Sequence, residues 1–512
     1  MINRLDGVKL HIGESEEKLV RIARSKLKGK LCSFKILKKS LDARDKNNLF
    51  WVYSISFSDE IEPVAKPPAR LKNAPTVAVI GSGPAGLFCA LRLVERGFAP
   101  IIIERGERVE YRRETIENFF GTGSLNENSN VQFGEGGAGT FSDGKLNTQT
   151  HDGYNKDVLR LFAKFGAPEE ITYLNKPHIG SDKLFSVLQN IRRYIENNGG
   201  KYFFNTVFTR FNAKNGQLTG ISIKNLISGE ESELPVKTAV LALGHSARDT
   251  FVALDKQGVA MTPREFAVGV RIEHLASEIS KAQYGKFAAK LPAADYKFVS
   301  HAHGRTVFTF CMCPGGVVIP AASESGGVVT NGMSLYARDG VNSNAALMVQ
   351  MNGSDWGEGL FAGMEFQRAI ERRAFLVGGG NYKAPVQLYG DFAKDRLSCG
   401  FGSVKPTYAS GTAFAPLNEI LPAVAVDALK AAIPDMGKRL KGFDSSDAVL
   451  TGVESRFSSP VRILRDETGE SVSVKGLYPC GEGSGYSGGI TSSAADGLKI
   501  ADIIYKKNLE NF

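Results

Sequence analysis

Residues 76–104 read TVAVIGSGPAGLFCALRLVERGFAPIIIE, and this stretch decides the fold. Val77–Ile80 is an apolar run of strand length, followed at once by Gly81-Ser82-Gly83-Pro84-Ala85-Gly86. Leu87, Ala90, Leu91 and Val94 then recur at helical spacing until Gly97. Ile101, Ile102 and Ile103 make a second buried strand, closed by Glu104 and Arg105. This is a βαβ opening with a glycine loop at the strand-to-helix turn. Gly81 suits the tight turn, Gly83 lets the backbone approach a pyrophosphate, and Gly86 lets helix and strand pack closely. The phosphates belong where unpaired helix N–H groups and the positive dipole end converge. Glu104, 21 residues after Gly83, is placed to accept a hydrogen bond from a ribose 2′-OH. A bare glycine pattern is also what an ordinary turn looks like; strand, helix, second strand and acid in register make it a dinucleotide site.

Two further stretches read as parts of the same site. Residues 130–150, NVQFGEGGAGTFSDGKLNTQT, interleave Gly134, Gly136, Gly137, Gly139 and Gly144 with small polar residues, Phe133 and Phe141. Such a loop cannot build a core, but its N–H groups can line a flat polar ligand such as an isoalloxazine ring. The bland alternative is a flexible surface loop; the position after the second strand favours the ligand. Residues 477–482, LYPCGE, form a short strand ending in Gly481 and Glu482, and Gly488-Gly489-Ile490-Thr491 opens a helix. A strand-end acid can hold ribitol hydroxyls, and a helix N-terminus stabilises the negative charge of reduced flavin. This second anchor, about 400 residues from the first, selects FAD over NAD, because a simple NAD fold does not need it.

The rest of the chain is organised around these anchors. Residues 7–12, 32–37 and 49–57 read as strands and 15–28 as a helix, which makes residues 1–61 a small α+β module. The proline-rich residues 62–75 read as a linker. Residues 76–260 are expected to hold the first part of the FAD-binding domain. Within them 155–200 are largely helical, strand material around Val207 follows, and a buried strand at 238–244 ends in Gly244. Chain polarity puts Gly244 and the following His245 at the carboxyl edge of the sheet, beside the cofactor; His245 is equally an ordinary loop hydrogen-bonder. Residues 261–445 alternate strand-like and loop-like pieces and read as an inserted substrate domain, with 446–512 returning to the FAD-binding domain. The expected fold is therefore α/β: a Rossmann-like FAD-binding domain, an inserted mixed α+β domain and the N-terminal module.

Composition narrows the function classes. At 512 residues, with 42% hydrophobic and 23% charged residues, the chain is an ordinary globular protein of roughly three domains. No run approaches the ~18 apolar residues that span a bilayer, and the N-terminus lacks an apolar signal core, so no membrane association and a cytoplasmic location are expected. Six cysteines do not make a disulfide framework at this length. The net charge of +9 is uneven: residues 1–70 hold 15 Lys/Arg against 9 Asp/Glu. That excess is either a solvated face or a site for an anionic partner such as RNA or an acyl-CoA-like substrate.

Residues that could carry chemistry are fewer. Cys311 and Cys313 have no second CxxC or paired histidine segment to complete a zinc site, and His301 and His303 make only a weak metal set with them, so no metal is expected. Ordinary strand thiols are the default for the two cysteines, with a substrate-site or redox role beside it. Arg456 suits a substrate carboxylate or phosphate, and Lys145 could face flavin N1 or N5; structural ion pairing is the plain fate of either. Residues 377–380, VGGG, do not open a helix, so no separate Rossmann domain for NAD(P)H is expected, although nicotinamide can bind transiently over a flavin.

The strings GSGPAGLFCAL, FGEGGAGTFSDGKLNT, LALGHSARDT, CMCPGGVV, VVTNGMS, GVESRFSSPVRI and YPCGEGSGYSGGITSSAADGL together resemble the bacterial NAD(FAD)-utilising dehydrogenases, FAD-dependent oxidoreductases with a two-dinucleotide-binding fold. The resemblance covers most of residues 75–510. It implies that Gly81, Gly83, Gly86 and Glu104 hold the AMP half of FAD. It implies further that Gly136, Gly137, Ala138, Gly139, Thr140 and Lys145 lie nearer the flavin, and that Gly481, Glu482, Gly489 and Ile490 meet its ribitol and pyrimidine end. The broader class carries Asp after the strand-end glycine, where this chain has Glu482. The expected activity is hydride transfer between flavin and a small anionic organic substrate. An RNA-modifying flavoenzyme and a non-catalytic flavin-binding redox sensor are the alternatives. Substrate, oligomeric state and the catalytic acid or base are not legible, with Lys145, Arg456 and His245 the named candidates.

Overall fold

A computed structural model of the chain describes residues 2–60 and 70–509. Most of the expected linker thus lies outside the described residues. At the centre is a five-stranded parallel sheet in the order Leu477–Pro479, Ala239–Leu241, Val77–Ile80, Pro100–Ile103, Lys201–Phe203. Its central strands are buried on both faces, which is why they read as unbroken apolar runs rather than alternating ones. One face is covered by helices Pro84–Glu95, Ser181–Asn197 and Ile490–Leu509. The other is covered by helix Arg248–Lys256 and an antiparallel sheet of Thr206–Lys214, Gln217–Asn225 and Glu231–Leu234. The first and last helices of this unit are locked by Asp502, whose carboxylate accepts from Arg92 at 2.8 Å and from Arg96 at 2.6 Å.

Chain-distant strands thus lie side by side. Ala239–Leu241 sits between Val77–Ile80 and Leu477–Pro479, all parallel, so three strand-to-loop turns open along one carboxyl edge. Gly81 follows the first strand at φ +99°, and a Cβ there would stand 2.2 Å from the Ala242 carbonyl oxygen. Gly86 packs so closely that a Cβ would stand 1.9 Å from the Gly81 carbonyl oxygen. Both glycines are therefore fixed by contact, as the sequence suggested.

The inserted segment forms a seven-stranded sheet in the order Val299–Ala302, Arg305–Cys313, Asn342–Met351, Phe266–Leu275, Val449–Glu454, Ala384–Leu388, Thr412–Phe414. Helices Ala362–Val377 and Ala423–Arg439 pack against it. The chain leaves and re-enters the nucleotide-binding unit through a two-stranded ribbon, Met261–Pro263 against Val461–Ile463. The expected return at 446 therefore comes too early: Val449–Glu454 still pairs with both Phe266–Leu275 and Ala384–Leu388. Its apolar alternation fits either sheet, and only the pairing partners tell them apart. The N-terminal module is a three-stranded antiparallel sheet, Asn3–His11, Phe50–Ser58 and Ser33–Asp42, with helix Glu17–Ser25 seating Leu19 and Ala23 on Leu10, Tyr53 and Ile55.

Candidate functional site

The three turns at the carboxyl edge and one end of the seven-stranded sheet border a single open cleft.

At one end helix Pro84–Glu95 begins with Gly83 extended and Pro84 at its first position, and no side chain caps it. Its free N–H groups and dipole face the cleft, as a pyrophosphate needs. Glu104 departs from expectation. One carboxylate oxygen accepts from the Ser82 N–H at 2.8 Å and its hydroxyl at 2.7 Å; the other accepts from the N–H groups of Gly106 at 2.9 Å and Gly134 at 3.0 Å. All four lone-pair directions of this buried acid are used to tie three loops together, so its first task is scaffolding rather than ribose binding. Arg105, which lines the cleft, is held by Asp249 at 2.6 Å and lies 4.6 Å over the Phe133 ring.

The glycine loop is fixed by a residue that sequence reasoning missed. Arg112, fully buried, donates to the carbonyls of Asn130 at 2.9 Å, Val131 at 3.0 Å and Glu135 at 2.7 Å. The Gly136 N–H donates to the Ser82 carbonyl at 2.9 Å, which docks this loop directly on the first one. Gly137, Ala138, Gly139 and Lys145 then line the cleft with Pro84, Ala85 and Val207. Gly136 and Thr140 face the protein interior instead, against Leu188 and the Glu135 carbonyl. Lys145 reaches across to donate to the Met312 carbonyl of the inserted sheet.

Asp496, on the last helix, accepts the Gly481 N–H at 2.8 Å and pairs with Arg465 at 2.8 Å, fixing the turn. Gly481 itself packs behind the wall on Ala85, while Glu482, Gly489 and Ile490 line the cleft. Glu482 accepts from the Gly489 N–H at 3.3 Å and lies 3.5 Å from His245 Nδ1. Burial raises the Glu482 carboxyl to about 7. Burial, then the charges of Arg456 and Arg248, lower His245 to about 3, so the imidazole is neutral. His245 Nε2 is buried with no protein partner. An orphaned buried nitrogen costs on the order of 1–3 kcal/mol, and on the wall of this cleft it is a position for a bound group to satisfy. Gly244 and Val207 both border the same space.

The inserted domain supplies the opposite wall. Phe310 and Phe457 meet edge-on at 4.5 Å beside Cys311, Cys313 and Asn331. Arg456 lines the cleft, yet its guanidinium is already paired with Glu371 at 2.9 Å and donates to Ser323 at 2.8 Å. Glu371 also binds Arg248, at 2.9 Å, and Glu324 bridges Arg248 and Arg368. Structural pairing, the plain alternative, is what Arg456 does. Arg271, also unforeseen, is completely buried and held by Glu454, Asn331 and Asn344. Among the described residues no cluster of His, Cys, Asp and Glu could hold a metal ion. Several cations of the N-terminal module are paired with its own acids, such as Lys39 with Glu16 and Arg44 with Asp42.

Comparison with known proteins agrees with this geometry. Residues 76–137 match the family described as FAD binding domain, and residues 265–457 match FAD-dependent protein, C-terminal domain-like. An uncharacterized protein of Clostridium beijerinckii is 46% identical over 498 residues, 92% of each chain. The chain belongs to this family of FAD-dependent proteins. Solved structures resembling it include the flavin-dependent brominase Bmp2, at 13% identity and TM-score 0.41, covering 85% of this chain and 79% of that one. A flavoprotein/dehydrogenase from Cytophaga hutchinsonii, at 10% identity and TM-score 0.40, covers the same shares. FAD is the cofactor, and the residues present fit it: an uncapped helix N-terminus for phosphates, a glycine loop, a second helix N-terminus and an unsatisfied buried imidazole nitrogen.

Proposed function

We propose that the protein is a cytoplasmic oxidoreductase, akin to the NAD(FAD)-utilising dehydrogenases, that exchanges a hydride between FAD and a small anionic organic substrate. One observation carries the reading: the cofactor loops and the inserted sheet are two walls of a single cleft. The bound flavin supplies the redox chemistry. The chain's part is to position, desolvate and balance charge. Phe310 and Phe457 give the cleft an apolar wall on the substrate side. Lys145 has no carboxylate partner among the described residues, its hydrogen bond going to a carbonyl. Two guanidinium groups, Arg248 and Arg456, share Glu371. Burial, with the charges of Arg456 and Arg248 behind it, holds His245 neutral, and the Lys145 ammonium favours a carboxylate or phosphate on the substrate. His245 then offers an N–H or a lone pair to its ligand rather than a charge.

Anaerobic mixing of the holoprotein with NADH and NADPH, then with a panel of acceptors, tests the reading. Bleaching of the flavin by one partner and its return with a carboxylated acceptor, but not with the matching amide, is expected. A purified protein without a flavin spectrum that refuses added FAD sinks it. Nicotinamide, where it serves, docks transiently in the same cleft.

A further inference from the structure

Strand Arg305–Cys313 is interrupted where it meets the cleft. Phe310 stands opposite Ala346 and Cys313 opposite Asn344, so three steps on this strand face two on its partner, a β-bulge. Inside the bulge Cys311 has φ +38°, in the left-handed region that non-glycine residues avoid. Such a conformation costs about 1–3 kcal/mol and persists only where the surroundings impose it.

Here two cations impose it. Arg271 Nη1 donates to the Cys311 carbonyl at 2.8 Å, and the Lys145 ammonium donates to the Met312 carbonyl. Arg271 is anchored by Glu454 and two asparagines, and Lys145 comes from the flavin-side loop. The result presents Cys311 exposed on the cleft, with the Cys313 thiol beside it donating to the Cys311 carbonyl at 3.2 Å. Both sulfur-bearing residues line the same space as Gly139, Lys145 and Gly489.

We propose that Cys311 and Cys313 form a second redox centre, a dithiol/disulfide pair that exchanges two electrons with the flavin and passes them to a small external disulfide. The proposal rests on the FAD reading above. The Cys311–Cys313 S–S bond breaks on taking two electrons and one proton from the reduced cofactor and a second proton from solvent, and both sulfurs end as thiols. The pair is re-oxidised by thiol–disulfide exchange: Cys311 attacks the external disulfide and releases one thiol, and Cys313 then displaces the second and re-forms the bond. A disulfide closed over a single intervening residue is strained, and strained bonds of this kind are the labile, catalytic ones. Burial raises the Cys313 thiol, although Arg271 and Lys145 pull it down, so it rests neutral, while the exposed Cys311 is the sulfur that an external disulfide reaches.

The test counts electrons. Holoprotein oxidised with ferricyanide, which leaves no mixed disulfide, then freed of reagent and titrated anaerobically with dithionite, takes up four electrons per FAD, against two in C311S and in C313A. Peptide mapping of the oxidised wild type shows a 311–313 crosslink. Two electrons per FAD in the wild type, four in either variant, or no such crosslink overturns the proposal. A protein without FAD fails before the titration begins, which separates this outcome from failure of the flavin assignment.

Discussion

Glu482 shows how far one residue's chemistry depends on its surroundings. In sequence it is a strand-end acid; in the fold it is half-buried beside a neutral imidazole and accepts a single backbone N–H at 3.3 Å. Desolvation outweighs that bond, so its carboxyl rises to about 7. A carboxyl whose folded pKa lies above its unfolded value favours the folded state below about 4.5, and that contribution is lost as pH rises through about 7. The stability of wild-type apoprotein relative to E482Q should therefore fall between pH 5 and 8, by on the order of 2–3 kcal/mol. Urea titrations of both proteins at several pH values measure it, and a pH-independent difference would refute the raised carboxyl. FAD should flatten the dependence where ribitol hydroxyls supply donors to the carboxylate. Glu104 carries the opposite lesson. Its place after the second strand was legible, but its four donors come from three separate loops that no spacing reveals.

At the scale of elements, the βαβ opening and the last helix were legible because local pattern and tertiary role coincide there. An apolar strand, a glycine turn forced by contact and a periodic helix need no distant partner to be recognised. The 130–150 loop was legible only as composition. Its shape is set by Arg112, three turns of chain away, whose guanidinium replaces the core such a loop cannot build. In sequence that arginine is one more charge on a polar helix. Substituting it should therefore act on the whole loop. R112M leaves three buried carbonyls unpaired, each costing roughly 1–3 kcal/mol, and is expected to release FAD while the apoprotein keeps its far-ultraviolet circular dichroism. FAD content after gel filtration and the thermal midpoint with and without added FAD decide it. A variant that retains stoichiometric FAD would show that the loop holds its form without Arg112. The boundary of the inserted domain was illegible for a related reason: Val449–Glu454 has a strand's pattern, but the sheet it joins is fixed by partners almost 200 residues away in sequence.

Over the whole molecule, the two walls of the cleft belong to different sheets, and something must hold them in register. The buried ion cluster does so. Arg248 opens a helix of the nucleotide-binding unit, Glu371 lies on a helix of the inserted domain, and Arg456 follows the strand that leads back. Arg248 and Arg456 hold the Glu371 carboxyl far below the usual range despite its burial, so it remains charged throughout the accessible pH. Replacing it by a neutral isostere leaves two buried guanidinium groups sharing no counter-charge but Glu324, a loss of about 3–5 kcal/mol. The nucleotide loops do not depend on this cluster, since Glu104, Arg112 and Asp496 fix them independently. E371Q should therefore bind FAD, yet unfold in two calorimetric transitions where the wild type shows one. The flavin should be reduced more slowly, by a factor of 10 or more, because the substrate wall no longer meets the ring at a fixed distance. A single transition with unchanged flavin reduction would mean that the two sheets are held together by their apolar contacts alone, and that the cluster only balances charge.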